Sequence, residues 1–130
     1  MPTYHTPPEI FPPFAGYNHG VEVPPGTRLL VCSGQLGVAP DGDVPESAED
    51  QTVLCFENIG AVLKSAGMTY ADILRLNAYV TDRAHLPAYM TVRDRFVASP
   101  PPASTLMIVT GFARPEFKVE IEVIAGKEGE

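Results

Sequence analysis

The chain has 130 residues and a mass of 14.0 kDa, the size of one ordinary domain with little room for a second. Apolar residues make up 45% and charged residues 19%, a globular composition rather than a disordered one. Nine Lys and Arg against sixteen Asp and Glu leave a net charge of −7, which repels phosphate backbones and disfavours a general nucleic-acid partner.

No apolar run approaches the roughly 20 residues a bilayer span needs. Met1-Pro2-Thr3-Tyr4-His5 carries no basic patch ahead of an apolar core, so no secretory signal is expected. The expectation is a soluble, cytoplasmic domain over residues 1–130, without a membrane partner.

Residues 1–15 are rich in Pro and poor in pattern, and read as an ordered or semi-ordered arm. Gly16 to Val23 is a short strand. Pro24-Pro25-Gly26 is a turn, because Pro presets the bend and Gly tolerates positive φ. Arg28 to Cys32 is an apolar run of strand length. A hairpin between these two strands is expected. Ala39-Pro40-Asp41-Gly42-Asp43 is a second turn.

A helix follows over Ser47 to Ala66. Cys55, Ile59, Val62 and Ala66 share one face at helical spacing. Glu46, Glu49 and Asp50 crowd its start, where the dipole favours acids, and Gly67 stops it. Ile73 to Thr81 alternates as a strand does. Leu74, Leu76, Ala78 and Val80 fall on one face, with Ile73, Arg75, Asn77 and Tyr79 on the other.

Asp82 is a cap for a second helix whose face carries Leu86, Tyr89, Arg93 and Phe96. Pro87 is tolerated there because it lies in the first turn. Ser99-Pro100-Pro101-Pro102 ends that helix. Thr105 to Thr110 is a strand, Gly111 to Glu116 a turn, and Phe117 to Ala125 the last strand. In it Phe117, Val119, Ile121 and Val123 point one way; Lys118, Glu120, Glu122 and Ile124 point the other.

The order β-β-α-β-α-β-β predicts an α+β domain: a mixed sheet of five or six strands with both helices on one face. The other face then bears Ile73, Tyr79 and Ile124. Apolar area of that kind meets a partner, and self-association is the simplest one. The competing cover is the proline-rich arm. Cys32 and Cys55 sit in apolar surroundings and read as buried, inert thiols. His5, His19 and His85 lack metal-ligand spacing, so no metal is expected.

Val31-Cys32-Ser33-Gly34-Gln35 resembles the hydrophobic-hydrophobic-Ser-Gly-Gln segment of the RidA (YjgF-type) reactive-intermediate deaminases. Gly16-Tyr17 near the start, Asn77-Ala78-Tyr79-Val80-Thr81-Asp82, and Val119-Glu120-Ile121-Glu122 match further segments in the same order, from about residue 14 to 125. The resemblance implies a chorismate-mutase-like fold. It also implies a homotrimer whose sheets face a shared centre, with a cleft at each subunit interface. The implied activity is hydrolysis of reactive enamines and imines, such as 2-aminoacrylate, to a keto acid and ammonia, with no metal or organic cofactor.

Carried over residue by residue, the resemblance makes Glu120 the water-positioning acid and Tyr17 the pocket tyrosine. Ser33 and Gly34 line the cleft with backbone groups. The family's carboxylate-clamping Arg, in a Pro-Ala-Arg segment, is missing: this chain reads Pro102-Ala103-Ser104-Thr105. Met90 stands where some members carry Asn. Ser104 supplies a hydroxyl but no fixed charge, so the expected substrate lacks the usual carboxylate or presents it elsewhere.

Each residue has a plainer reading. Glu120 can pair with Lys118 on the same strand, Tyr17 can be a core aromatic, and Ser104 can be a loop residue. Arg114 is a replacement cation or a surface turn residue, and His19 a proton carrier in the cleft or a surface histidine. Two other functions compete. One is a non-catalytic trimeric ligand-binding module, which the missing Arg favours. The other is an endoribonuclease or translation inhibitor, which the −7 charge disfavours.

Overall fold

The computed structural model describes residues 1–129. In chain order it contains β1 (Thr3–His5), β2 (Gly20–Glu22), β3 (Arg28–Leu36), α1 (Ala48–Ser65), β4 (Ile73–Val80), α2 (Leu86–Phe96), β5 (Ala103–Ile108) and β6 (Val119–Lys127). Short 3₁₀ turns at Tyr70–Asp72 and Arg83–His85 precede β4 and α2. The architecture is α+β: a four-stranded mixed sheet in the order β3-β6-β4-β5, with β4 and β5 parallel and the other pairs antiparallel.

The helices form where local chemistry directs them. Ser47 caps α1, its hydroxyl accepting from the Asp50 N–H at 3.0 Å. Glu49 and Asp50 lie in the first turn, Lys64 in the last, and Gly67 follows the C-terminus at φ +72°. Asp82 caps the 3₁₀ turn ahead of α2 rather than the helix itself, which begins one turn later with Pro87 in its first turn. The buried face of α1 runs through Cys55, Phe56, Ile59 and Leu63, while Val62 and Ala66 are only half-buried at its margin. Phe56 stacks on Phe96 at 5.0 Å between ring centroids and joins α1 to α2.

The expected hairpin is absent. The turn at Pro24 forms, with the Thr27 hydroxyl donating to the Pro24 carbonyl at 2.7 Å and Gly26 at φ +85°. The strands beside it do not pair. Pro24 and Pro25 have no N–H to carry a ladder away from the turn. β2 pairs instead with β1 in the arm, Tyr4 opposite Val21, as a separate two-stranded ribbon. β3 pairs with β6. The main sheet therefore has four strands, not five or six. The arm is anchored across the molecule by Asn18, which donates to the carbonyls of Pro101 and Pro102 at 2.8 and 3.0 Å.

β4 also departs from strict alternation. Its pairing with β6 shifts between Ile73 and Arg75, and this bulge turns Ile73 into the core instead of Leu74. From Arg75 onward the expected faces hold. In β6, Val119, Ile121 and Val123 are buried beneath the helices, so Glu120, Glu122 and Ile124 point to the opposite face.

That opposite face is open. Val31 is 76% and Met107 54% exposed, with Leu29 also bare. The arm does not cover them: it runs past the helix side, and its own Phe11 and Phe14 are exposed. No helix among the described residues is long and apolar enough to cross a membrane.

Candidate functional site

The six residues singled out above fall into two groups on opposite faces of the sheet, counting Met90 with Ser104. The first centres on Glu120. The β3–β6 register passes from Cys32 opposite Val123 to Gln35 opposite Ile121, so Ser33 and Gly34 together face Glu122 alone. This bulge makes room for the neighbouring acid. A methyl group on Gly34 would lie 2.2 Å from Glu120 Oε2 and 2.8 Å from its Cδ. The Glu120 carboxylate thus rests directly on the Gly34 backbone, which only a residue without a side chain allows.

Glu120 is not paired with Lys118, whose ammonium donates to the Glu46 carbonyl. Burial, and behind it the charge of Glu122, raises the Glu120 carboxyl above its ordinary range. Glu122 is engaged differently: Oε2 accepts from Asn77 Nδ2 at 3.1 Å and from the Tyr79 hydroxyl at 3.0 Å. The acid without a hydrogen-bonding side chain is therefore Glu120, and the one held by neighbours is Glu122. Cys32 and Cys55 are buried and unbridged.

The second group surrounds a hollow of about 270 Å³ on the helix side, at the β5 edge. Phe14 and Tyr17 come from the arm, Tyr89, Met90 and Arg93 from α2, and Ser104 from β5. Ser104 lies opposite Leu76, a fully buried residue, and so faces the helices. The Tyr17 hydroxyl accepts from the Phe14 N–H at 3.2 Å, closing the arm into a loop. His19 stands edge-on to the Tyr17 ring and its Nε2 lies 2.8 Å from the Phe11 carbonyl, so it braces the arm. Arg114 is far from this role: it pairs with Glu116 at 3.0 Å and lies over the Phe117 ring.

Tyr17 and Ser104 are thus brought together, as are Ser33, Gly34 and Glu120. The two groups do not meet within one chain. β6 and β5 are separated by β4, and the two sets of side chains leave the sheet in opposite directions.

Arg93 is the residue the sequence reading missed. It stood there as one position of a helix face. The signal was available: a charge on the apolar stripe of Leu86, Tyr89 and Phe96. Arg93 is 3% exposed, and its Nη2 donates to the Gly16 carbonyl at 2.6 Å.

A larger hollow, about 520 Å³, is lined by Met1, Tyr4, Thr27, Asp72 and Lys127 among others. It sits at the far end of β6, roughly 23 Å along the strand from Glu120. None of the candidate residues lines it, and its Asp72 and Lys127 are engaged locally: Asp72 accepts from the Thr69 N–H and Lys127 donates to the Gly67 carbonyl.

Comparison with known proteins identifies the family to which this fold belongs. The family profile described as Endoribonuclease L-PSP matches residues 9–127. RutC family protein YjgH of Escherichia coli is 37% identical over 99 residues, covering 75% of this chain and 74% of YjgH. A putative reactive intermediate deaminase, TdcF of Escherichia coli, is 29% identical over 114 residues, 84% of each chain. The crystal structure of YyfB from Yersinia pestis, a protein of unknown function of the conserved Rid family, superposes with a TM-score of 0.83 at 30% identity, covering 95% of this chain and 97% of that one. Profile, relatives and fold agree, and the chain belongs to the RidA (YjgF/RutC) family.

Proposed function

We propose that this protein hydrolyses small reactive enamines or imines, in clefts formed where three copies of the chain meet. The observation that carries the reading is the placement of Glu120, an acid with a raised pKa, no cation beside it and a bare backbone beneath it. An imine carbon is already electrophilic, so the chemistry asks for little. Glu120 takes a proton from water as the oxygen adds to the carbon, giving a carbinolamine. The proton returns to nitrogen, the C–N bond breaks as the hydroxyl proton passes to Glu120, and ammonia leaves behind a carbonyl. The reaction needs neither metal nor organic cofactor.

The same geometry supports association between copies of the chain. Glu120, Ser33 and Gly34 lie on the open face; Tyr17 and Ser104 lie on the helix side of the β5 edge. Packing the open face of one copy near the β5 edge of another brings the halves together and buries Val31 and Met107. Ser104 replaces the clamp arginine of the family, so a substrate carboxylate is either missing or held elsewhere. A non-catalytic ligand-binding trimer is the second reading, and the same Ser104 supports it. The name Endoribonuclease L-PSP suggests RNA, but a net charge of −7 opposes a polyanion.

The test is to supply enzymatically generated imines, with and without carboxylates, and follow ammonia. Turnover that disappears in Glu120→Gln is expected. Saturable ligand binding with no turnover of any imine would establish the second reading instead. Light scattering should give three times 14.0 kDa; a monomer carrying full activity would overturn the cleft.

A further inference from the structure

We propose that Arg93 is the anion anchor of the hollow at the β5 edge, so that the substrate is a small carboxylate held from α2 rather than from the strand. This rests on the hydrolase reading above and assigns the residue that selects its substrate.

Arg93 lines the same hollow as Tyr17 and Ser104 and is 3% exposed. A buried guanidinium is costly unless its charge is answered. Within the chain it meets the Gly16 carbonyl at 2.6 Å from Nη2, Asp94 Oδ1 at 3.1 Å from Nη1 and, beside them, the Tyr89 hydroxyl. The first is neutral. The second belongs to a side chain that is 63% exposed, where water screens its charge. A guanidinium carries five N–H groups in a planar fork, and these contacts leave N–H groups over for an anion.

The rest of the hollow is apolar or neutral. Phe14, Ala15, Met90 and Leu106 contribute carbon, and no carboxylate lines it. Burial pushes the Tyr89 phenol up, with the adjacent Arg93 charge only partly offsetting this, so Tyr89 stays neutral at physiological pH. In such surroundings the charge of Arg93 acts at low dielectric and selects anions over neutral molecules. A carboxylate matches its fork in two-pronged fashion.

The volume, about 270 Å³, suits a molecule of few heavy atoms. The two functions of the missing arginine are thereby divided. α2 supplies the charge, and Ser104 supplies a hydroxyl from the strand edge. Because Arg93 also holds the Gly16 carbonyl, the same guanidinium fixes the residue before Tyr17 and sets the wall that closes on the ligand.

The probe is pyruvate, with pyruvamide as its neutral counterpart, titrated into the full-length protein by calorimetry. Pyruvate should bind at least tenfold more tightly than pyruvamide, with the difference shrinking as salt rises. Arg93→Gln should erase that preference, Arg93→Lys should keep part of it, and Arg93→Gln/Ser104→Arg should restore it. With imine substrates, Arg93→Gln should raise KM for the carboxylated compound at least tenfold more than for the neutral one.

Equal binding of the two probes by the native protein, or full pyruvate affinity in folded Arg93→Gln, overturns the proposal. Should Arg93→Gln fail to fold, the Arg93 Nε–H resonance of the native protein decides: it shifts on pyruvate titration, or the anchor is wrong. Hydrolysis without carboxylate preference sinks this inference alone. Pyruvate held by Arg93 without hydrolysis of any imine sinks the hydrolase reading alone.

Discussion

Gly34→Ala separates the role of Glu120 from the stability of the fold. The new methyl would lie 2.2 Å from Glu120 Oε2, so the carboxylate must retreat by about 1.2 Å to reach ordinary contact at 3.4 Å. What blocks the methyl is the mobile end of a side chain, also 2.8 Å away at Cδ and 3.0 Å at Cγ, and not backbone. Gly34 is not among the residues at positive φ, so alanine fits the backbone. Reduced freedom of the unfolded chain contributes about 0.4–1 kcal/mol in favour of the variant. An off-rotamer Glu120 costs about 0.5–1.5 kcal/mol. The net change in stability is therefore within about 1 kcal/mol.

Catalysis responds differently. A reacting group displaced by about 1 Å costs on the order of a hundredfold in rate. The assay is ammonia release from an imine, with a urea unfolding curve on the same sample. The expected result is a kcat/KM lower by about two decades in a protein of nearly unchanged unfolding midpoint. A folded variant with native turnover would refute the water-positioning role. Gly37→Ala is the contrast: its methyl would meet Gln51 Cα at 2.7 Å and Cβ at 2.6 Å, next to helix backbone that cannot retreat, and should destabilise strongly.

Gln51 is fully buried; its Nε2 donates to the carbonyls of Pro45 and Glu116, both at 2.9 Å, and its Oε1 accepts from the Lys118 N–H at 2.8 Å. Gln51→Ala leaves these backbone groups without partners and should cost about 3 kcal/mol or more by urea unfolding. The raised pKa of Glu120 means the native state holds its proton to higher pH than the unfolded chain does. Its contribution to stability is present below the unfolded pKa and lost as pH rises through the folded one. Glu120→Gln should therefore stabilise at neutral pH by less than about 1 kcal/mol, given its partial exposure, and not in acid. The acid limb of the rate profile should lie above the ordinary Glu range and move down in Glu122→Gln. Burial raises the Cys55 thiol to about 12 and also raises Cys32, so a thiol reagent should label neither in the native protein and both on unfolding.

Where a short stretch of chain contains its own instructions, the sequence was sufficient. Ser47 and Gly67 bracket α1 because a cap and a left-handed stop act within one turn. The alternation of Val119 to Ile124 sorts β6 into a core face and an open face because the strand period is two. Ser33-Gly34 and Glu120 were legible as a set through their resemblance to the RidA segments.

Tertiary structure alone decided the rest. Which strand β2 joins depends on hydrogen-bonding groups far along the chain, and no turn signal specifies that. The bulge that exchanges Leu74 for Ile73 in the core is a property of the β4–β6 register, not of either strand alone. The burial of Arg93 beside Ser104 is set by how α2 lies against β5 and the arm, residues far apart in sequence, and pattern along one helix cannot say what stands opposite a charge.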